Sequence, residues 1–329
     1  MLKNQQIFQE KAFSLLELSV VILVIGILIT GVMKGGSLVS ASRINSARSL
    51  TARSPVGEIN GLTAWYETTA LQSFGKRTVK NSENVAKISV VQLTESRSDE
   101  KKIEIWRDIS PKCINNYETL DSTTSLQADY TGTCNLVNCA DKKYICNALS
   151  QAVVTNRPYY SLSGINNLPS VIFEGNHSLT LDAFRDGEIN NSTKFVVFSV
   201  DNKPASSNTA IILNNNNLSA STQKISLGST NILLNNGGSD ANISYNIKNT
   251  YILGVIFSGN NSYYKINNSQ LLSATNLGTN ISTGLTVGDE NNSFRGKISE
   301  IIIFNRILKE TEITEIFNYL GKKYKVQVL

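Results

Sequence analysis

The sequence predicts a mainly β protein: a long N-terminal α-helix, transmembrane and then amphipathic, followed by an antiparallel β-sandwich with a short C-terminal helix. Three observations carry this. An apolar run from Phe13 to Met33 is interrupted by a single charge, Glu17. From Gly61 onward, short apolar stretches are separated by Asn, Gly and Ser clusters, the pattern of strands and turns. Near the end, Ile313, Ile316, Phe317 and Leu320 recur at i, i+3, i+4 and i+7, which predicts one amphipathic helix closing at Gly321.

The N-terminal run is about 21 residues, enough for a helix to cross a ~30 Å hydrocarbon core. A carboxylate inside such a span costs roughly 2.5–3.5 kcal/mol, so Glu17 implies a function and a partner. After Met33 come Lys34, Gly35, Gly36 and Ser37, and Gly31 and Gly35 have the spacing of close helix packing. Leu38, Ala41, Ile44 and Ala47 then keep near-helical spacing, and Pro55 stops the helix. Three segments follow from this: a leader over 1–12, a transmembrane and stalk helix over 13–54, and a sandwich over 61–329.

Predicted strands in the sandwich include Leu62–Tyr66, Ile103–Asp108, Lys194–Val200 and Ala210–Leu213. Tyr251–Phe257, Tyr263–Ile266, Leu285–Gly288 and Lys297–Phe304 complete the set. Many short strands with turn signals and no helices between them argue for an antiparallel sandwich.

Cys113, Cys134, Cys139 and Cys146 are the four cysteines, confined to one segment. No C-x-x-C pair occurs and the single histidine, His177, lies outside it, which argues for disulfides over zinc. Three pairings are open. Disulfides imply an oxidising compartment and hence export. The basic residues Lys34, Arg43, Arg48 and Arg53 oppose this, because the positive-inside rule keeps such a flank in the cytoplasm. A net charge of +5, spread along the chain, excludes a nucleic-acid partner of the basic-stripe kind.

Lys11-Ala12-Phe13-Ser14-Leu15-Leu16-Glu17-Leu18 resembles the N-terminus of type IV prepilins and type II secretion pseudopilins. The resemblance implies cleavage between Ala12 and Phe13 by a prepilin peptidase, then N-methylation of Phe13. Ala12 stands where the family has Gly. Glu17 matches the family's Glu, whose implied role is to neutralise the new α-amine of a neighbouring subunit. Pilins that build filaments often carry a Pro beyond the Gly matched by Gly26. None occurs between Phe13 and Ser54, which tilts the reading to a minor pilin or pseudopilin. The alternative at this end is an ordinary signal anchor, or a secretory signal cut between Gly31 and Ser37.

A second resemblance covers most of Gly61 to Val326. Gly61-Leu62-Thr63-Ala64-Trp65-Tyr66, Ile105-Trp106-Arg107-Asp108-Ile109-Ser110, Arg157-Pro158-Tyr159 and Leu168 to Gly175 are similar to concanavalin A-like, laminin-G-type jelly-roll domains. Phe294 to Phe304, with Leu308, Glu312, Tyr319-Leu320 and Lys323-Tyr324, resembles their closing strand and helix. The cysteine segment, 113–146, is then an insertion at one rim.

Catalysis is not expected. Retaining glycosidases need two carboxylates about 5–5.5 Å apart, on one strand at alternating positions, and no Glu-x-Asp-x-Glu run exists. Asp182, Asp186 and Glu188 have loop spacing. Ligand-binding candidates are Tyr159, Tyr160, Tyr263 and Tyr264, of which alternation sends one per pair inward. Calcium is a candidate cofactor through Asp289 and Glu290, with Asn291 beside them. The expected function is a minor pilin or pseudopilin displaying a lectin-like sandwich for adhesion or for binding a glycan or protein. Its expected partners are the prepilin peptidase/methyltransferase, other subunits and the inner membrane. The alternatives are a non-polymerising, membrane-anchored surface lectin and, behind it, a tethered glycan hydrolase.

Overall fold

The computed structural model describes residues 15–80, 85–90, 102–113, 147–205, 209–215, 222–289 and 294–328; for 30–37, 76–80 and 85–90 it describes the backbone alone. By contacts the chain divides into two units, Met1–Asn45 and Ser46–Leu329.

Within the first unit the chain is helical from Leu15, as part of α1 (Leu15–Ala52). No Pro interrupts it, and Gly26 has open space where a Cβ would sit. Among the described residues no helix is long and apolar enough to cross a membrane. Of the predicted span, Phe13 lies outside the described residues and the side chains of 30–33 are not described.

The second unit is a three-layer stack of two antiparallel sheets and a helical layer. Among the described residues the first sheet has eight strands: β1 (Leu62–Glu67), β6 (Tyr159–Ser161), β7 (Ser170–Glu174), β9 (Ser192–Val200), β14 (Thr250–Phe257), β15 (Tyr263–Ile266), β16 (Leu272–Ser273) and β18 (Arg295–Phe304). Their order is β16-β15-β14-β9-β18-β7-β6, with β1 also on β18. One edge of β18 is shared: its start, Arg295–Ile298, pairs with β7, and its end, Glu300–Phe304, pairs with β1.

The second sheet has, among the described residues, ten strands: β2 (Phe74–Lys80), β3 (Val85–Val90), β4 (Ile105–Trp106), β5 (Leu149–Ser150), β8 (Ser178–Leu181), β10 (Ala210–Asn214), β11 (Lys224–Leu227), β12 (Asn231–Asn235), β13 (Ala241–Ser244) and β17 (Leu285–Gly288). They run β13-β12-β11-β10-β17-β8-β5-β4-β2-β3. All pairs are antiparallel, as the turn-rich sequence predicts.

Alternation along each strand produces two cores. Val196, Phe198 and Val200 of β9, with Leu253, Val255 and Phe257 of β14, face Leu179, Leu213, Ile225 and Leu285 of the other sheet. The opposite face of β9 presents Phe195 and Val197 to the helical layer. That layer is α2 (Glu310–Tyr324), with Ala47 from the end of α1.

The predicted C-terminal helix is present but does not close at Gly321. It runs on to Tyr324 and ends at Lys325, a non-glycine residue at φ 53°, whose neighbour Val326 donates to the Gly321 carbonyl at 3.0 Å. Gly321 is needed for a different reason. A Cβ there would stand 2.6 Å from Val328, because the tail folds back over the helix. Turns use Asn as well as Gly: Asn166, Asn167, Asn267 and Asn276 all sit at positive φ, which Asn tolerates better than most residues.

Candidate functional site

Of the predicted processing and assembly residues, Ala12 and Phe13 lie outside the described residues. Glu17 stands in the first turn of α1 and is exposed. Around it Leu15, Leu16, Leu18, Val20, Val21, Ile22, Leu23 and Val24 are all exposed. Consecutive residues are ~100° apart around a helix, so the apolar surface covers the full circumference.

A buried charged cluster lies in the second unit, where the end of α1 meets the sandwich. Glu67 at the end of β1, Glu300 in β18 and Lys323 in α2 are each at most 3% exposed. Lys323 Nζ lies 2.8 Å from Glu300 Oε2 and 3.4 Å from Glu67 Oε1. Two buried carboxylates facing one ammonium demand further donors, and these are present. Glu300 accepts from Trp65 Nε1 at 2.7 Å, from the Tyr319 hydroxyl at 2.8 Å and from the Tyr324 hydroxyl at 2.9 Å. Glu67 accepts from the Ala70 amide at 2.8 Å and from the amide and hydroxyl of Thr69. From α1, Thr51 Oγ1 receives Lys323 Nζ at 2.8 Å and lies 3.4 Å from Glu67 Oε1. Burial, then the charges of Glu300 and Glu67, pushes both tyrosine hydroxyls well above the ordinary range, so both remain protonated donors.

Sequence reasoning missed this cluster. Glu67 lies just past the predicted strand Leu62–Tyr66, Glu300 inside the predicted strand Lys297–Phe304 and Lys323 beyond the predicted helix end at Gly321, and none of the three stood out as a site. The available signal was that Trp65, Glu300, Tyr319, Lys323 and Tyr324 all lie in the segments that resemble jelly-roll domains.

The cysteine segment begins beside a buried carboxyl. Cys113 is disulfide-bonded, as predicted, and Cys134, Cys139 and Cys146 lie outside the described residues. Asp108, 1% exposed, accepts from the amides of Trp65 and Ser110 through Oδ1, both at 2.9 Å. Its Oδ2 lies 3.1 Å from Cys113 Sγ and 3.4 Å from Asn147 Nδ2. Burial, partly offset by these hydrogen bonds, pushes the Asp108 carboxyl up to about 6.

The tyrosine pairs divide as alternation requires. Tyr160 is buried in the inter-sheet core against Phe74, with ring centroids 5.1 Å apart, so it is a packing residue and not the ligand candidate expected of it. Tyr159 is half-buried, with Lys102 Nζ 5.0 Å above its ring and His177 edge-on at 5.2 Å, so its ring is already occupied. Tyr264 packs against the core while Tyr263 is exposed. His177 is 4% exposed and accepts the Glu174 amide at 3.1 Å through Nδ1. Burial and then the Lys102 charge hold its imidazole below the ordinary value. Of the calcium candidates, Asp289 is buried and Glu290 lies outside the described residues. Among the described residues no group of three or more His, Cys, Asp or Glu is placed to hold a metal ion.

These features define a mainly β, antiparallel sandwich with a C-terminal helix packed on one sheet. No family model matches the chain, and no curated protein matches it. Among solved structures it is similar to Trypanosoma rangeli sialidase, at 12% identity and a TM-score of 0.46, over 80% of this chain and 33% of that one. The same sialidase in complex with sialic acid matches at 14% identity and a TM-score of 0.42, over 55% of this chain and 30% of that one. A structure concerning cell entry of botulinum neurotoxin type C through two ganglioside molecules matches at 14% identity and a TM-score of 0.36, over 51% and 48%. The chain spans a third to a half of the length of these structures. Several of them are of enzymes, and the flat expectation of a non-enzymatic chain is withdrawn on that finding; similarity at this level carries no catalytic residue to this chain.

Proposed function

We propose that the chain is a prepilin-like subunit, a minor pilin or pseudopilin, assembled through α1 into a type IV pilus or type II secretion filament. The observation that carries this is the segment from Leu15 to Ile29. Its apolar side chains are exposed on every side and Glu17 is its one charge. Such a surface is incompatible with water and suits a bilayer first and a bundle of identical helices afterwards. Within a bundle, Glu17 has a partner in the α-amine created by cleavage before Phe13. In this reading the span from Phe13 to Met33 anchors the subunit in the inner membrane until assembly. The sandwich is exported, in keeping with the disulfide at Cys113. It is carried outward as a lectin-like head for adhesion or for binding a glycan or protein.

Mass spectrometry of the mature N-terminus tests the class. A chain starting at N-methylated Phe13 is expected; an intact Met1 or a cut near Ser37 overturns the proposal. Glu17→Ala separates it from a non-polymerising surface lectin: filament incorporation is lost here, whereas a simple anchor is displayed as before.

A further inference from the structure

The dipeptide Asn-Gly occurs twice in the chain, at Asn60-Gly61 and at Asn236-Gly237, each time as a turn signal. Both pairs have the same chemistry open to them. The glycine nitrogen can attack the asparagine side-chain amide, because no glycine Cβ stands in the way. The structure separates the two. Asn236 is 1% exposed; its Oδ1 accepts from the Gln223 amide at 2.8 Å and its Nδ2 donates to the Gly278 carbonyl at 3.1 Å. The Gly237 amide donates to Asn235 Oδ1 at 2.8 Å, so nucleophile and leaving group are both held. Asn60, in the turn before β1, is exposed. Among the described residues neither its side-chain amide nor the Gly61 N–H makes a hydrogen bond.

The surroundings of Asn60 favour reaction further. Arg306 Nε donates to the Asn60 carbonyl at 2.8 Å, while the other two guanidinium nitrogens hold Glu312 at 2.9 and 2.6 Å. A cation on that carbonyl polarises the Asn60–Gly61 peptide and makes its N–H, the nucleophile once deprotonated, more acidic. Nor can the fold exchange Gly61 for a bulkier, slower neighbour. Its φ is 83°, and a Cβ would stand 2.9 Å from Asn305 Oδ1 and 3.1 Å from Arg306 Cγ.

We propose that Asn60 is a site of spontaneous deamidation and backbone isomerisation. The Gly61 nitrogen gives its proton to hydroxide and attacks Asn60 Cγ. The new C–N bond closes a succinimide ring, and the side-chain nitrogen leaves as ammonia. Water then opens the ring at either carbonyl, giving aspartate or isoaspartate at position 60. Either product adds a negative charge to the residue that Arg306 holds, and isoaspartate also adds a methylene to the main chain. The altered link stands directly before β1, where the Gly61 carbonyl accepts the Asn305 amide at 2.9 Å, so it falls where β1 enters its pairing with β18.

The test is incubation of the full chain at mildly alkaline pH, folded in buffer and unfolded in guanidinium chloride. The peptides holding Asn60 and Asn236 are followed by the amide-to-acid mass gain, with isoaspartate distinguished from aspartate by fragmentation. In the folded chain Asn60 is expected to convert at least about tenfold faster than Asn236, which reacts only through local opening. In guanidinium chloride, where no fold distinguishes two Asn-Gly pairs, their rates are expected to converge. An Asn60 that stays intact in the folded chain while converting in the unfolded one overturns the proposal. So does an Asn236 that keeps pace with Asn60 in the folded chain.

Discussion

The ammonium of Lys194 lies 5.6 Å from the ring centre of Phe257, inside the sandwich. Lys194 shares its side of β9 with Val196, Phe198 and Val200, the inter-sheet face, and is 0% exposed. Its polar contact is the Gln223 carbonyl at 3.4 Å. Burial alone pulls this amine down from 10.5 to about 7.

The sign of the pH effect follows. Between about 7 and 10.5 the unfolded chain holds a proton that the folded chain releases, so stability rises with pH across that window. Below about 7 the full penalty of a buried cation is present. Lys194→Met keeps the length of the side chain without its charge. It is expected to raise stability at pH 6 by on the order of 4 kcal/mol and to flatten the dependence of Tm on pH above neutrality. Thermal melts from about pH 6 to 10 check both.

Lys323→Met leaves Glu67 and Glu300 facing each other in the interior without their shared cation. A loss of about 3–5 kcal/mol is expected, as for other broken buried pairs. Thr51→Val removes the acceptor that α1 supplies to the same ammonium and costs less, about 1–2 kcal/mol. Because the residues are in contact, the double variant should fall well short of the sum of the two losses, which denaturant unfolding will show.

Gly254 of β14 lies beneath α2. A Cβ there would stand 2.9 Å from the Phe317 ring and 3.0 Å from that of Phe195, both buried. Gly254→Ala is expected to push α2 off the sheet and destabilise the sandwich by about 1–3 kcal/mol, readable as a lowered Tm with little change in secondary structure by circular dichroism.

The Glu312 carboxylate reaches back to the Lys309 amide at 2.8 Å and receives both Arg306 nitrogens at 2.9 and 2.6 Å. Its hydrogen bond to Arg306, opposed by partial burial, holds it below the ordinary carboxylate range, so this contribution is present above the ordinary carboxylate pKa and is lost as pH falls through the depressed value. Glu312→Ala is expected to fray the first turn of α2. Faster amide exchange there at neutral pH than in the natural chain would show it.

What the sequence made legible depended on whether a segment's environment was uniform along its length. β9, β14 and β18 are covered on both faces, so their continuous apolar runs announced them. The β2–β3 hairpin, rich in Lys, Arg and Ser, carried no such run. β5 pairs through two residues, too few for any period. The buried charges were the hardest to see. Glu67, Lys194, Glu300 and Lys323 are charged residues, a type almost never fully buried unless paired, so residue type alone places them at the surface. What makes them interior is long-range: Thr51 and Lys323 meet across 272 positions. Alternation did identify Tyr160 and Tyr264 as the inward members or neighbours of the core only pairwise, without saying which of each pair it was.

The divided edge of β18 sets a timetable. Among the described residues β1, which opens the sandwich, pairs as a strand only with Glu300–Phe304, so Trp65 must wait for Ile302. Until synthesis has delivered β18, the edges of β1, β7 and β9 that it will pair remain bare, and the Glu67 carboxylate has no ammonium until Lys323 follows. Such distant pairings close slowly and leave sticky surface exposed meanwhile. A chain that emerges N-terminus first would therefore hold an unfinished sandwich until the last strand arrives.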